Sequence, residues 1–213
     1  MLYVGDFETT KNPDGSMRVW LSDICAIAEP YEHYTFTSIE DTFEWLAEVK
    51  PEAVYFHNLK FDGSYIMSYL NDAGYKFTDN RKLMPGQYNF LVTDRNIWFL
   101  GAICWEDGTV TQIRDSLKKI PLPVRKIAEF YFLPCSKGEI DYNKDRPIGY
   151  EPDKKEIDYV KRDTEIVARA LNTHFDRGMT GLTMPADAMN EYKRGVSFER
   201  MFRNQILSHA SRR

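Results

Sequence analysis

Asp6 and Glu8 close an apolar opening run, Leu2-Tyr3-Val4. In a strand, residues two apart project from the same face, so the two carboxylates stand side by side. Such a pair repels itself and is costly to desolvate, which calls for a cation. Two further motifs carry carboxylates. His57-Asn58-Leu59-Lys60-Phe61-Asp62-Gly63 lies where a short apolar strand hands over to a helix. There Asp62 reads as a helix N-cap or a ligand, and Asn58 as a turn residue or a contact. The exposed aromatic Phe61 suits stacking on a base. Tyr159 and Asp163 are four apart on a helix and so share a face, with Asp163 beside the stripe of Val160, Ile166 and Val167. Alone, that aspartate reads as a stripe edge that reaches solvent or a lysine.

The three motifs together favour a metal site. Asp6, Glu8, Asp62 and Asp163 offer oxygen only, a donor set suited to Mg²⁺ or Mn²⁺. Two such ions about 3.5–4 Å apart clamp the attacking and leaving oxygens of a phosphodiester. Tyr159, with an ordinary pKa near 10, is a poor base at neutral pH. It is better cast as a hydroxyl that orients the attacking water.

The elements that must hold these groups follow from periodicity. Residues 2–8, 17–27, 31–37, 53–57, 88–93, 96–103 and 109–114 read as strands, with Pro13-Asp14-Gly15 and Asp94-Arg95-Asn96 as turns. Ser38 and Asp41 suggest a capping box for a helix with Phe43, Leu46 and Val49 on one face, stopped by Pro51. Helices are also expected from Asp62 to Gly74, over 124–131 and over 153–175, with one or two short ones in 185–208. Residues 134–151 read as irregular. Strands followed by strand–helix alternation imply an α/β fold, a mixed sheet flanked by helices.

The chain has 213 residues, 14% aromatic and 28% charged, which suits a globular core and argues against disorder. No stretch of about 18 apolar residues is present, and no signal peptide is visible, so no membrane partner is expected. Cys25, Cys104 and Cys135 are odd in number and widely spaced, which fits a reducing compartment. The net charge of −4 hides basic strips at Arg114, Lys118, Lys119, Arg125 and Lys126, and again from Lys193 to Arg213. A local basic strip can hold a phosphate backbone, although any single run reads first as solvated surface.

The ordered set Asp6/Glu8, Asn58/Asp62, Tyr159/Asp163 resembles the three motifs of DEDD-type 3′–5′ exonucleases in their tyrosine-bearing version. Residues 57–63, the run Asp115-Ser116-Leu117-Lys118-Lys119-Ile120-Pro121-Leu122-Pro123-Val124, and Lys137-Gly138-Glu139-Ile140-Asp141-Tyr142 resemble the exonuclease domain of phage protein-primed family B DNA polymerases. The resemblance spans most of residues 1–175 and fades afterwards. It implies an RNase H-like fold and two divalent cations on the four carboxylates, with Asp6 shared and Asp62 acting partly through water. It casts Lys137 as a contact to the phosphate near the scissile bond. Thr9, Asn58, Phe61, Ser116, Leu117 and Tyr142 match residues that bind the 3′ end of single-stranded DNA. Tyr55 and His57 match positions linked to DNA and primer-protein contacts. Lys118 and Lys119 are expected near the single strand. Without the resemblance, Tyr55 reads as core, Leu117 as packing and Lys137 as a loop lysine.

Residues 1–178 are thus expected to form the exonuclease domain, and 179–213 a helical segment leading toward a polymerase domain. In the family, palm, fingers and thumb follow this domain. Three readings stand for a sequence running to Arg213: an excised domain, the N-terminal piece of a split polymerase, and a free-standing exonuclease. The expected partners are a single-stranded DNA 3′ end, a polymerase domain and a terminal primer protein, in the cytoplasm of a phage-bearing host. Two rivals predict differently. A catalytically silent single-stranded DNA or primer-protein binding module would bind without cleaving, and an RNase H-like nuclease acting on RNA would cleave RNA equally well or better.

Overall fold

The computed structural model describes residues 1–93, 98–135 and 138–195. Eight strands form one mixed sheet: β1 Leu2–Lys11, β2 Met17–Ala26, β3 His33–Phe36, β4 Ala53–Phe56, β5 Lys76–Phe77, β6 Gln87–Val92, β7 Trp98–Cys104 and β8 Val110–Asp115. Their spatial order is β3-β2-β1-β4-β8-β7-β6-β5. β1 pairs antiparallel with β2 and parallel with β4, and β4 is also parallel to β8. The helices are α1 Ile39–Val49, α2 Leu59–Asp72, α3 Val124–Phe130, α4 Lys154–Asp176 and α5 Met184–Gly195. This is the expected α/β, RNase H-like arrangement.

Alternation along β1 divides the core. Tyr3 and Phe7 join the cluster that α1 and α2 cover through Phe43, Leu46, Leu59, Ile66 and Leu70. Val4 joins the cluster under α3 and α4, with Ile127, Ile166, Val167 and Leu171. Asp6 and Glu8, two and four residues beyond Val4, therefore point to the α4 side.

Local chemistry sets the helix ends. Ser38 accepts from the Asp41 backbone, the expected half of a capping box. That helix ends at Val49, ahead of Pro51 as expected, and its cap Lys50 takes the left-handed conformation with φ 47°. A complete capping box stands at the start of α4, between Asp153 and Glu156. α2 begins three residues earlier than expected. Asn58 takes φ 75°, a conformation asparagine tolerates, and turns the chain straight into the helix at Leu59. Asp62 is consequently not the N-cap but a buried side chain inside the first turn.

The two-residue β5 and a one-turn 3-10 helix at Ser116–Lys118 escape sequence periodicity because they are too short to show any. The expected turn around Asp94-Arg95-Asn96 and the helical reading beyond Gly195 lie outside the described residues. All three cysteines are free. Among the described residues no helix is long and apolar enough to cross a membrane.

Candidate active site

The three motifs meet at one cleft of about 260 Å³. β1 supplies Asp6 and Glu8, the first turn of α2 supplies Asp62, and α4 supplies Tyr159 and Asp163. Glu8, Asp62, Tyr159 and Asp163 are buried and Asp6 is half-buried. Asp163 does not reach solvent from the edge of its stripe, because α4 lies flat on the sheet beside β1 and β2. Gly63 brings α2 close: a Cβ there would stand 2.6 Å from the Trp98 ring. Any larger residue would force either the Trp98 ring or this part of α2 to shift.

The electrostatics are those of crowded carboxylates. Asp62 is raised to about 8, first by burial and then by the negative charges of Glu8 and Asp115, while backbone N–H groups at Asp62 and Phe7 pull the other way. Its Oδ1 is buried without a hydrogen-bond partner. An orphaned, oxygen-only acceptor beside Glu8 fits a hard divalent cation. Among the described residues, however, no three His, Cys, Asp or Glu side chains close tightly enough on one point to form a preformed cage. The four carboxylates face a shared space rather than a fixed ligand shell.

Tyr159 is raised well above its ordinary value by burial, by its hydrogen bond with Tyr142, and by the charges of Asp163 and Glu8. These surroundings favour its neutral hydroxyl form near neutral pH. Tyr142 lies 2.9 Å from it, hydroxyl to hydroxyl, while its ring stands largely in solvent. Phe61 is half exposed at the cleft with its ring beside Tyr65. A register shift follows Glu8, so strict alternation ends there and Thr9 also lines the cleft.

His57 and Asn58 reach the cleft wall, and both are held by the scaffold. The His57 ring spans Ser116 Oγ at 2.9 Å and the Leu122 carbonyl at 2.8 Å. The backbone of Asn58 donates to Asp115 Oδ1, which also accepts from Leu117 N at 2.9 Å. Asp115 is thus a site-building residue that periodicity alone does not single out. The signal available was a carboxylate directly ahead of a Ser-Leu-Lys-Lys turn.

Several expected contacts stand elsewhere. Ser116 is buried and reaches the cleft only through His57, and Leu117 is half-buried outside the cleft lining. Tyr55 is buried in the α4-side core, its hydroxyl accepting from Arg114, so it is a core residue here and offers no open surface. Lys119 is a correction. It is not free for phosphate, because its ammonium is buried against Asp187 of α5 and donates to the Gly181 carbonyl at 2.9 Å. Lys118 is mostly covered and pairs with Asp115 at 3.2 Å. Lys137 lies outside the described residues.

The pKa of Asp62 has a consequence for stability. Its folded value lies above the ordinary carboxylate value near 4, so the native state keeps a proton that the unfolded chain has released. This contribution is full below about pH 4 and fades as pH rises toward about 8. In EDTA, the wild type is expected to lose roughly 1–3 kcal/mol between pH 5 and 8.5 relative to Asp62→Asn. Mn²⁺ is expected to restore that loss at pH 8.5. Thermal denaturation across the range checks it, and parallel curves for the two proteins would contradict it.

No protein-family model matches the chain. It is similar to the DNA polymerase of Bacillus phage Nf, 37% identical over 192 residues, covering 88% of this chain and 33% of the relative. The DNA polymerase of Bacillus phage phi29 is 36% identical over 196 residues, again 33% of its length, and that of Streptococcus phage Cp-1 is 30% identical over 206. The chain therefore spans about a third of the length of the curated relatives it matches. Among solved structures, phi29 DNA polymerase complexed with single-stranded DNA superposes with a TM-score of 0.86 at 34% identity, over 93% of this chain and 35% of that one. The ternary complex of the same polymerase with primer-template DNA and incoming nucleotide gives 0.84 at 33% identity.

Proposed function

From its similarity to phage DNA polymerases along about a third of their length, we infer that this chain shares their ancestry. From that premise we propose that it is the 3′–5′ exonuclease domain of a protein-primed family B polymerase. It would trim single-stranded DNA 3′ ends to nucleoside monophosphates. The observation that carries this reading is that Asp6, Glu8, Asp62, Tyr159 and Asp163, from three distant segments, line one cleft. The solved relative bound to single-stranded DNA adds support for a DNA substrate.

Asp6, Glu8, Asp62 and Asp163 would hold two divalent cations, Mg²⁺ or Mn²⁺. When bound, such ions lower the pKa of water and offset charge on the phosphodiester oxygens. The chain's own residues do the rest. The Tyr159 hydroxyl, kept protonated by its surroundings, holds and orients a water without taking its proton. Tyr142 fixes that hydroxyl from outside. Phe61 offers its half-exposed ring to a terminal base, and Thr9 and Asn58, which line the cleft, would contact the 3′-terminal nucleotide. Lys137 would contact the scissile phosphate. Residues 1–178 would form this domain and 179–213 lead toward a polymerase domain. A terminal primer protein would be a partner, and an infected host cell the setting.

The rival reading is a single-stranded DNA-binding module that does not cleave. The observation on its side is the lack of a preformed carboxylate cage among the described residues. A 5′-labelled oligonucleotide incubated with Mn²⁺ decides between them. The exonuclease reading expects a ladder shortening from the 3′ end, and stable binding with no ladder would overturn it. Preferential cleavage of an RNA strand would favour an RNase H-like nuclease instead.

Tyr159→Phe tests the water-orienting role. It is expected to lower kcat about 10–100-fold, as removal of a positioning hydrogen bond does. The alkaline limb of the pH–rate profile should stay where it is, because Tyr159 does not titrate there. A limb displaced by the substitution would make Tyr159 a base.

A further inference from the structure

β2 places a carboxylate directly opposite Asp6. Asp6, Asp23 and Thr35 are paired across β1, β2 and β3, so their side chains share the sheet face covered by α4. Asp23 is fully buried. Like charges across a ladder destabilise a sheet, and a buried carboxylate needs donors. Asp23 has three: Thr35 Oγ1 donates to Oδ1 at 2.8 Å, His33 Nδ1 to Oδ2 at 2.7 Å, and Thr164 Oγ1 to Oδ2 at 2.5 Å.

The third donor is the informative one. Thr164 sits on α4 next to Asp163 and also lines the cleft. Its hydroxyl carries one proton and has two further acceptors in reach, the Lys161 carbonyl at 3.0 Å and the Val160 carbonyl at 3.3 Å. The carboxylate is both nearer and charged, so it takes the proton. Beyond Thr164 the buried stripe of α4 is apolar, with Ile166, Val167 and Leu171, and the other buried anchor, Glu156, is held by Arg146 and Tyr150 about two turns away at the helix start. Apolar burial is non-directional and resists small rotations weakly. A charge-assisted hydrogen bond has a required direction, and this one is at the turn that carries Asp163.

We propose that Asp23 is a positioning residue which, through Thr164, fixes the rotation and axial register of α4, so that Tyr159 and Asp163 face Asp6 and Glu8. The proposal rests on the metal-dependent exonuclease reading above. No substrate contact is assigned to Asp23. Its effect on the cleft is exerted through the helix.

Thr164→Val keeps the shape of the side chain and removes the donor, while Thr164→Ser keeps the donor. Mn²⁺ affinity by electron paramagnetic resonance, steady-state cleavage of a single-stranded oligonucleotide, and circular dichroism are measured on the full chain. Thr164→Val is expected to weaken Mn²⁺ binding about tenfold or more and to lower kcat about 10–100-fold. KM should stay within about twofold, because a helix turned by a fraction of a turn still leaves the DNA groove in place. Thr164→Ser should restore both values. If Thr164→Val fails to fold, Asp23→Asn, which retains an acceptor for Thr35, carries the same expectation. Wild-type Mn²⁺ affinity and kcat in a folded variant would overturn the proposal alone. A wild type that neither binds Mn²⁺ nor cleaves would overturn the exonuclease reading, and this inference with it.

Discussion

An Asp6→Ala/Glu8→Ala protein is expected to cleave single-stranded DNA at least about 10³-fold more slowly than the wild type. Metal-assisted stabilisation of transition-state charge is worth several kcal/mol, and about 4 kcal/mol corresponds to that factor. The two side chains point to the α4 side of β1, where nothing else in the strand can substitute for them. The same change should leave the fold intact. Removing two carboxylates from a cleft that also holds Asp62 and Asp163 relieves repulsion, so in EDTA the double variant should unfold at the same temperature as the wild type or higher. Cleavage within tenfold of wild type would mean that these carboxylates do not hold the reacting ions. A large fall in melting temperature would mean that they serve the fold instead.

Asp187→Ala is expected to destabilise the protein by about 3–5 kcal/mol, because it leaves the Lys119 ammonium buried without its counter-charge. Lys119 has no exposed side-chain surface, and its remaining neighbours are the Gly181 carbonyl and the Phe175 ring at 5.6 Å. In a chain of this size the fall in melting temperature should be about 10 °C. Replacing both partners, Lys119→Met with Asp187→Leu, should recover most of the loss, since a buried pair exchanged for apolar groups of similar volume is often near neutral. Equal destabilisation by the single and double changes would show that the Gly181 contacts, with Asp187 accepting from Gly181 N at 2.7 Å, matter more than the charge pair.

The parts of the site that were legible in the sequence are those set by short-range periodicity. Asp6 and Glu8 share a face because strand parity has a period of two. Tyr159 and Asp163 share one because four residues make about one helical turn. Asp62 was recognisable as a carboxylate at a strand–helix junction, but its place inside the helix was not. That depended on Asn58 accepting a left-handed conformation. The fate of Lys119 was hidden for a different reason. A Lys-Lys pair after a turn looks like solvated charge, and its partner lies 68 residues away on another helix. Asp23 was hidden in the same way. Only the three-strand register and the docking of α4 show that an aspartate in the run Leu21-Ser22-Asp23-Ile24 stands opposite Asp6.

The spread of the site along the chain also sets when it comes into being. The turn of α4 that completes the cleft lies about 150 residues after β1 in the sequence. At about 5–20 residues per second, a ribosome needs about 7 to 30 seconds to cover that distance. During that interval Asp6, Glu8 and Asp62, which β1 and α2 can already bring together, stay hydrated on the side that α4 later covers. Docking of α4 excludes that water and adds Asp163, so their repulsion reaches full strength only then. Completion of the cleft therefore waits for α4, and a chain interrupted before Lys154 has Asp6, Glu8 and Asp62 without Tyr159 and Asp163.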